Sequence, residues 1–280
     1  MTQPKLLYCA AAVCAAMVTL NASASAAVIG ATVADASSGD YTLTSVSVTR
    51  GSAGTFTYVP SQLTGVDLTD IAATGNSLAV QGGGSVPPAT MRATLLEDGR
   101  LDTGLINPFS TSSVAEDSFE VTFLNPVVNS DGPDIIVFEI GAGDPTRFWV
   151  NNDRVNHSED VAAGSFTTNL LSGMPFTQYA YANPGGGTNV NGLAALEDTN
   201  GWSGTGSPGT TAIAAVAFDL TDFGIAAGET VTSLRWQTTN TGSRLDAVYV
   251  AGLPAVPEPA GLALLGLGGM ALLRRKRLFA

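Results

Sequence analysis

Asp98-Gly99-Arg100-Leu101-Asp102-Thr103 sets two carboxylates, a hydroxyl and a glycine turn within six residues. Oxygens at that density suit a hard cation, because Ca2+ draws its ligands from carboxylates and loop carbonyls at about 2.3–2.6 Å. Asp98, Asp102 and Thr103 are therefore candidate ligands of a structural Ca2+, the one cofactor these residues point to. The spacing is not that of an EF-hand, and the stretch also reads as an ordinary acidic turn. Catalysis has thinner material. His157 is the single histidine and lies in a polar loop with Asn152, Asp153, Arg154, Glu159 and Asp160. No serine stands in a Gly-x-Ser-x-Gly elbow. Gly82-Gly83-Gly84 leads to Val86-Pro87-Pro88 rather than into a helix, so it is a turn and not a phosphate cradle. Two carboxylates facing a cleft would make a glycosidase, and the wealth of acids leaves that alternative open.

Trp149, Trp202 and Trp236 offer rings that stack on sugars. Trp149 and Trp236 fall in strand-like stretches and read as core. Trp202, in Asn200-Gly201-Trp202-Ser203-Gly204, is the candidate platform for an extracellular polysaccharide, with packing as its other reading. Arg100, Arg147, Arg154, Arg235 and Arg244 are scarce cations in an acidic chain, and pairing with carboxylates is the default use of each.

The elements that must position these residues are strands. Tyr41 to Val48 and Phe119 to Leu124 alternate with a period of two, as half-buried strands do. Thr55 to Val59 continues in the same style, and Arg147 to Val150, Val216 to Leu220, Val231 to Gln237 and Leu245 to Val250 read likewise as strands. Asp134 to Ile140 is almost unbroken apolar sequence, which predicts a central strand buried on both faces. Turn signals recur at Asp98-Gly99, Asp131-Gly132-Pro133 and Thr241-Gly242. The prediction is an all-β domain over 27–250, a single antiparallel β-sandwich of jelly-roll type. Residues 151–208, with few periodic stretches and Pro184-Gly185-Gly186-Gly187, read as a loop-rich excursion, and 251–256 as a short linker.

Both ends read as sorting signals. Lys5, the apolar run Leu6 to Leu20 and the small residues Asn21 to Ala26 make a signal peptide over 1–26. Ala24 and Ala26 form its Ala-x-Ala site, with the cut after Ala26. At the other end, Pro257-Glu258-Pro259 precedes the uncharged run Ala260 to Leu273 and the cluster Arg274-Arg275-Lys276-Arg277. Fourteen helical residues reach only about 21 Å, against a hydrocarbon core of about 30 Å. Such a run suits a temporary stop better than a permanent anchor, and its basic end stays cytoplasmic. The expected picture is a sandwich flanked by an N-terminal signal helix and a C-terminal hydrophobic helix.

Removing these ends changes the composition. Lys5 and the four tail cations are five of 12 basic residues and Glu258 is one of 24 acidic ones, which leaves 7 and 23 in 27–256 and a net charge of −16. A surface so acidic repels nucleic acid and anionic lipid. Both cysteines, Cys9 and Cys14, lie in the signal peptide, so 27–256 has no disulfide, thiol nucleophile or thiolate metal site.

Residues 257–280 resemble the PEP-CTERM sorting signal of Gram-negative bacteria in all three parts and in their order. The resemblance implies processing by an exosortase, a membrane-embedded cysteine transpeptidase, after signal peptidase has acted at the N-terminus. It also implies transient insertion in the inner membrane and delivery to the cell surface or extracellular matrix. Leu96 to Gly104, Asp131 to Glu139, and Phe218 to Leu220 with Leu245 to Val248 are similar to pieces of galactose-binding or discoidin-like jelly rolls. In such domains an early loop often holds Ca2+ with an acid near the last strand, and Asp246 would be that acid here. The function expected is non-enzymatic: an exported binding or structural domain, glycan- or calcium-binding, with a carbohydrate-active enzyme as the alternative.

Overall fold

A computed structural model describes residues 28–73, 77–82, 95–106, 118–141, 145–162, 164–182, 190–191, 193, 204–238 and 245–256. Ala24, Ala26, Trp202, Arg244 and everything from Pro257 onward lie outside the described residues, and so do both expected flanking helices. Among the described residues no helix is long and apolar enough to cross a membrane.

The described regular structure is strand, with two short 3-10 turns. Branched and aromatic side chains pack well on a pleated surface, and these stretches are rich in them. In chain order the strands are β1 (Val28–Asp35), β2 (Asp40–Arg50), β3 (Gly54–Tyr58), β4 (Val66–Ala73), β5 (Ser77–Gly82), β6 (Gly104–Ile106), β7 (Ser118–Val128) and β8 (Ile135–Ile140). They continue with β9 (Thr146–Val150), β10 (Ser158–Val161), β11 (Thr167–Ala182), β12 (Val190–Asn191), β13 (Gly204–Phe218), β14 (Thr230–Thr238) and β15 (Ala247–Gly252). Their ladders are antiparallel.

Three sheets result. One is β1-β2-β3, a second is β10-β9-β14-β7-β4-β12, and the third, β11-β13-β8-β15-β6-β5, closes on itself where β11 pairs with β5. The closed sheet is the middle layer. Every residue of β8 is buried, as its apolar run predicts. Ile135 and Val137 face one core with Phe119, Phe148, Leu234 and Trp236 of the six-stranded sheet. Ile136, Phe138 and Ile140 face the other, with Leu43, Val46 and Val48 of β2. The all-β antiparallel fold is as predicted, with a third layer added. A strand apolar on both faces needs a cover on each, and β1-β2-β3 supplies the second.

Two expectations are corrected. The 151–208 stretch contains β10, the 16-residue β11 and the start of β13, not loops alone. Its prolines hide the strands. Pro175 pairs with Thr210 before β5 joins β11, and Pro208 pairs with Thr177 before β8 joins β13. Each proline therefore sits where its strand is an edge, the place that tolerates a missing N–H. Residues 251–256 are likewise no free linker: Ala251, Gly252 and Leu253 are buried, and β15 runs through Gly252.

Candidate functional site: where the C-terminal tail leaves the fold

The strand β2 buries alternate residues, and Arg50 falls on the same face as Val46 and Val48. It therefore enters the interior, fully buried, at the end of the strand. A buried guanidinium needs acceptors, and four groups meet its two Nη atoms, while its Nε has no partner. Arg50 Nη2 donates to Asp134 Oδ1 at 2.8 Å and to Ser130 Oγ at 2.7 Å. Arg50 Nη1 donates to Tyr58 Oη at 3.3 Å and to the carbonyl of Pro254.

Asp134 is equally buried and is the hub of the β7–β8 turn. Its Oδ1 also accepts from Ser130 N–H at 3.1 Å and Ser130 Oγ at 2.8 Å, and its Oδ2 accepts from Leu220 N–H at 3.3 Å. Burial pushes its carboxyl up to about 6, while these hydrogen bonds and the charge of Arg50 pull the other way. Two glycines let the backbones come together. A Cβ on Gly132, where φ is +76°, would lie 2.5 Å from Gly51 N, and a Cβ on Gly252 would lie 2.3 Å from Val127 Cγ2.

This cluster fastens the last described residues to the domain. Thr64 N–H donates to Gly252 O at 2.8 Å and Gly252 N–H to Thr64 O at 2.9 Å. Leu253 N–H donates to Asp134 O at 2.7 Å, Pro254 O accepts from Arg50, and Val256 N–H donates to Ser130 Oγ at 3.4 Å. Ala255 and Val256 then form one wall of an open cleft of about 580 Å³, opposite Asn129 to Gly132, Asp219, Thr221, Ala227 and Gly228.

The residues expected to hold calcium are arranged otherwise. Asp102 accepts from Arg100 at both oxygens, Nε to Oδ1 at 2.9 Å and Nη2 to Oδ2 at 2.5 Å. Asp98 Oδ1 accepts from Arg100 N–H at 2.9 Å, and Thr103 Oγ1 donates to Arg100 O at 3.4 Å. Arg100 ties this loop together. Leu105 stands opposite Ala247, which puts Asp246 beside Ile106, four residues along from Asp102. Among the described residues no three or more His, Cys, Asp or Glu side chains gather as a metal group.

Other sequence candidates take structural places. Trp236 is core, 5.7 Å from the Phe119 ring centroid. Trp149 lies on the outer face of the six-stranded sheet, roofed by Arg154 at 5.3 Å and Arg235 at 6.0 Å. Arg235 pairs with Asp70 and Glu120, and Arg147 with Asp160. His157 donates from Nδ1 to Phe223 O at 2.8 Å, so it ties two loops together. Arg50, Ser130 and Asp134 were not singled out from sequence. The signal was there: Arg50 occupies an apolar-phase position two residues beyond Val48.

The clasped segment runs directly into a recognisable sequence. Residues 255–277 are a PEP-CTERM protein-sorting motif. Pro257-Glu258-Pro259 and the Arg274 to Arg277 cluster both lie within it. No curated protein and no solved structure matches the chain. The PEP-CTERM motif marks the protein for export, exosortase processing and delivery to the cell surface or beyond. Its first two residues, Ala255 and Val256, belong at once to the motif and to the wall of the cleft.

Proposed function

We propose that the protein is a non-enzymatic structural component of the cell surface or extracellular matrix, sorted there by exosortase as a finished β-sandwich. The observation that carries this reading is the tail geometry. The motif grows straight out of the clasp, with Leu253 buried and Val256 hydrogen-bonded to Ser130, so the cargo of the motif is the folded domain itself. The polar chemistry supports it. Arg50, Arg100, Arg147 and Arg235 are each bonded to carboxylates, and Arg154 stacks on Trp149, so these cations serve the fold. The acid excess keeps such a surface hydrated and resistant to self-association.

Two measurements test the two halves of the reading. Replacing Pro257-Glu258-Pro259 by three alanines is expected to leave an unprocessed precursor in the membrane fraction; delivery to the surface at the processed mass would refute exosortase sorting. Incubating the processed protein with the matrix polysaccharide of its host is expected to release no reducing ends. Release would replace this reading with the glycosidase one.

A further inference from the structure

Enzymes that cut or transfer a peptide commonly take it as an extended strand, through its backbone N–H and C=O groups. Just before Pro257 several of those groups are already taken by the domain. Gly252 bonds to Thr64 in both directions, Leu253 N–H to Asp134 O, Pro254 O to Arg50, and Val256 N–H to Ser130 Oγ. Pro254 has no N–H to offer.

The free length beyond the clasp is short. Only Pro257, Glu258 and Pro259 separate Val256 from the apolar run that starts at Ala260. Four residue steps span at most about 14 Å, little more than the 10–12 Å width of one helix. With the clasp closed and the run in the bilayer, a membrane enzyme must reach the motif through that gap. Freeing Pro254 to Val256 lengthens the tether to seven steps, at most about 25 Å, and exposes the backbone groups.

We propose that the Arg50 clasp is an autoinhibitory contact: exosortase acts on the tail only after Pro254 to Val256 leave the domain, so the clasp sets the rate of processing. This rests on the exosortase reading above. A hydrogen bond to a charged group shifts an equilibrium by about ten- to a hundredfold, which is the expected size of the restraint.

The test is a pulse-chase of the full-length chain in cells that carry the exosortase. A Gly-Ser spacer of about six residues between Val256 and Pro257 leaves both the clasp and Pro257-Glu258-Pro259 intact and adds flexible reach. It is expected to speed processing about tenfold or more. Arg50→Lys, which keeps a positive charge beside Asp134 but loses the fork that reaches Pro254, is expected to speed it as well; because it can also impair folding, the spacer variant decides. A spacer rate within about twofold of the parent overturns the inference. So does a slower rate, which would mean that the enzyme uses the folded domain as a docking partner. The triple-alanine motif variant, run alongside, separates the two levels: processing that survives it sinks the exosortase reading, whereas processing that it abolishes while the spacer changes nothing sinks only the clasp.

Discussion

Arg50 Nη2 stands 2.8 Å from Asp134 Oδ1, and neither side chain is exposed to solvent. The pair joins the end of β2 to the turn before β8, and so couples the three-stranded layer to the middle one. A buried ion pair of this kind is weak evidence for net stability, because both charges lose their hydration. Breaking it by removing one partner is a different matter, since the other charge stays buried.

Arg50→Met is therefore expected to lower the unfolding free energy by about 3–5 kcal/mol. The double variant Arg50→Met/Asp134→Asn, which leaves no lone charge, is expected to lose less than the single one. Urea denaturation of the domain with each variant reads the difference directly.

Acidity supplies a second expectation. Asp134 rises from an ordinary 3.8 to about 6 in the fold, so the native state holds its proton more tightly than the unfolded chain. Stability from this group therefore falls as pH rises from about 4 to about 6, by at most about 3 kcal/mol. Asp160, held down by hydrogen bonds from Arg147, and Asp153, held down by Asn156, act in the opposite sense. Their contribution is present above 3.8 and is lost as pH falls below it. The melting temperature is thus expected to peak near pH 4–5. In Asp134→Asn the decline above the peak should flatten; an unchanged slope would assign it to other groups.

Close backbone approach gives a third. Gly252→Ala drives a Cβ to 2.3 Å from Val127 Cγ2 and 3.3 Å from Thr64 Cβ, inside a packed ladder. Overpacking of this kind costs about 1–3 kcal/mol. Gly228→Ala, where a Cβ meets nothing within 4 Å but φ is +82°, is the comparison that carries backbone strain alone. Thermal melts of the two separate the effects of contact and conformation.

Much of the fold was legible in the sequence because burial on a strand leaves a period of two. Tyr41 to Val48 and the unbroken run through β8 announce their faces, and the double burial of β8 implies a layer on either side. β11 was not legible, because Gly173 and Pro175 mimic turn chemistry while the strand borrows its order from β13. The site divides in the same way. The sorting motif is contiguous, so sequence displays it whole. The clasp draws on Arg50, Ser130, Asp134 and Pro254, which are far apart along the chain and meet only through sheet packing. At the acidic turn Asp98 to Thr103 the oxygen-rich spacing is legible in sequence, whereas the pairing of Asp102 with Arg100 at both oxygens is a matter of side-chain geometry.

β15 is the last of the described strands, yet it sits inside the middle sheet between β8 and β6, with every residue buried. In chain order this strand comes after the other described ones, and its residues belong to both cores, Ala247 and Val250 to one and Val248, Tyr249 and Ala251 to the other. Ala260 follows eight residues behind Gly252, at most about 29 Å of extended chain, nearly one hydrocarbon thickness. The end of the buried strand and the start of the apolar run are thus set about one bilayer thickness apart along the chain.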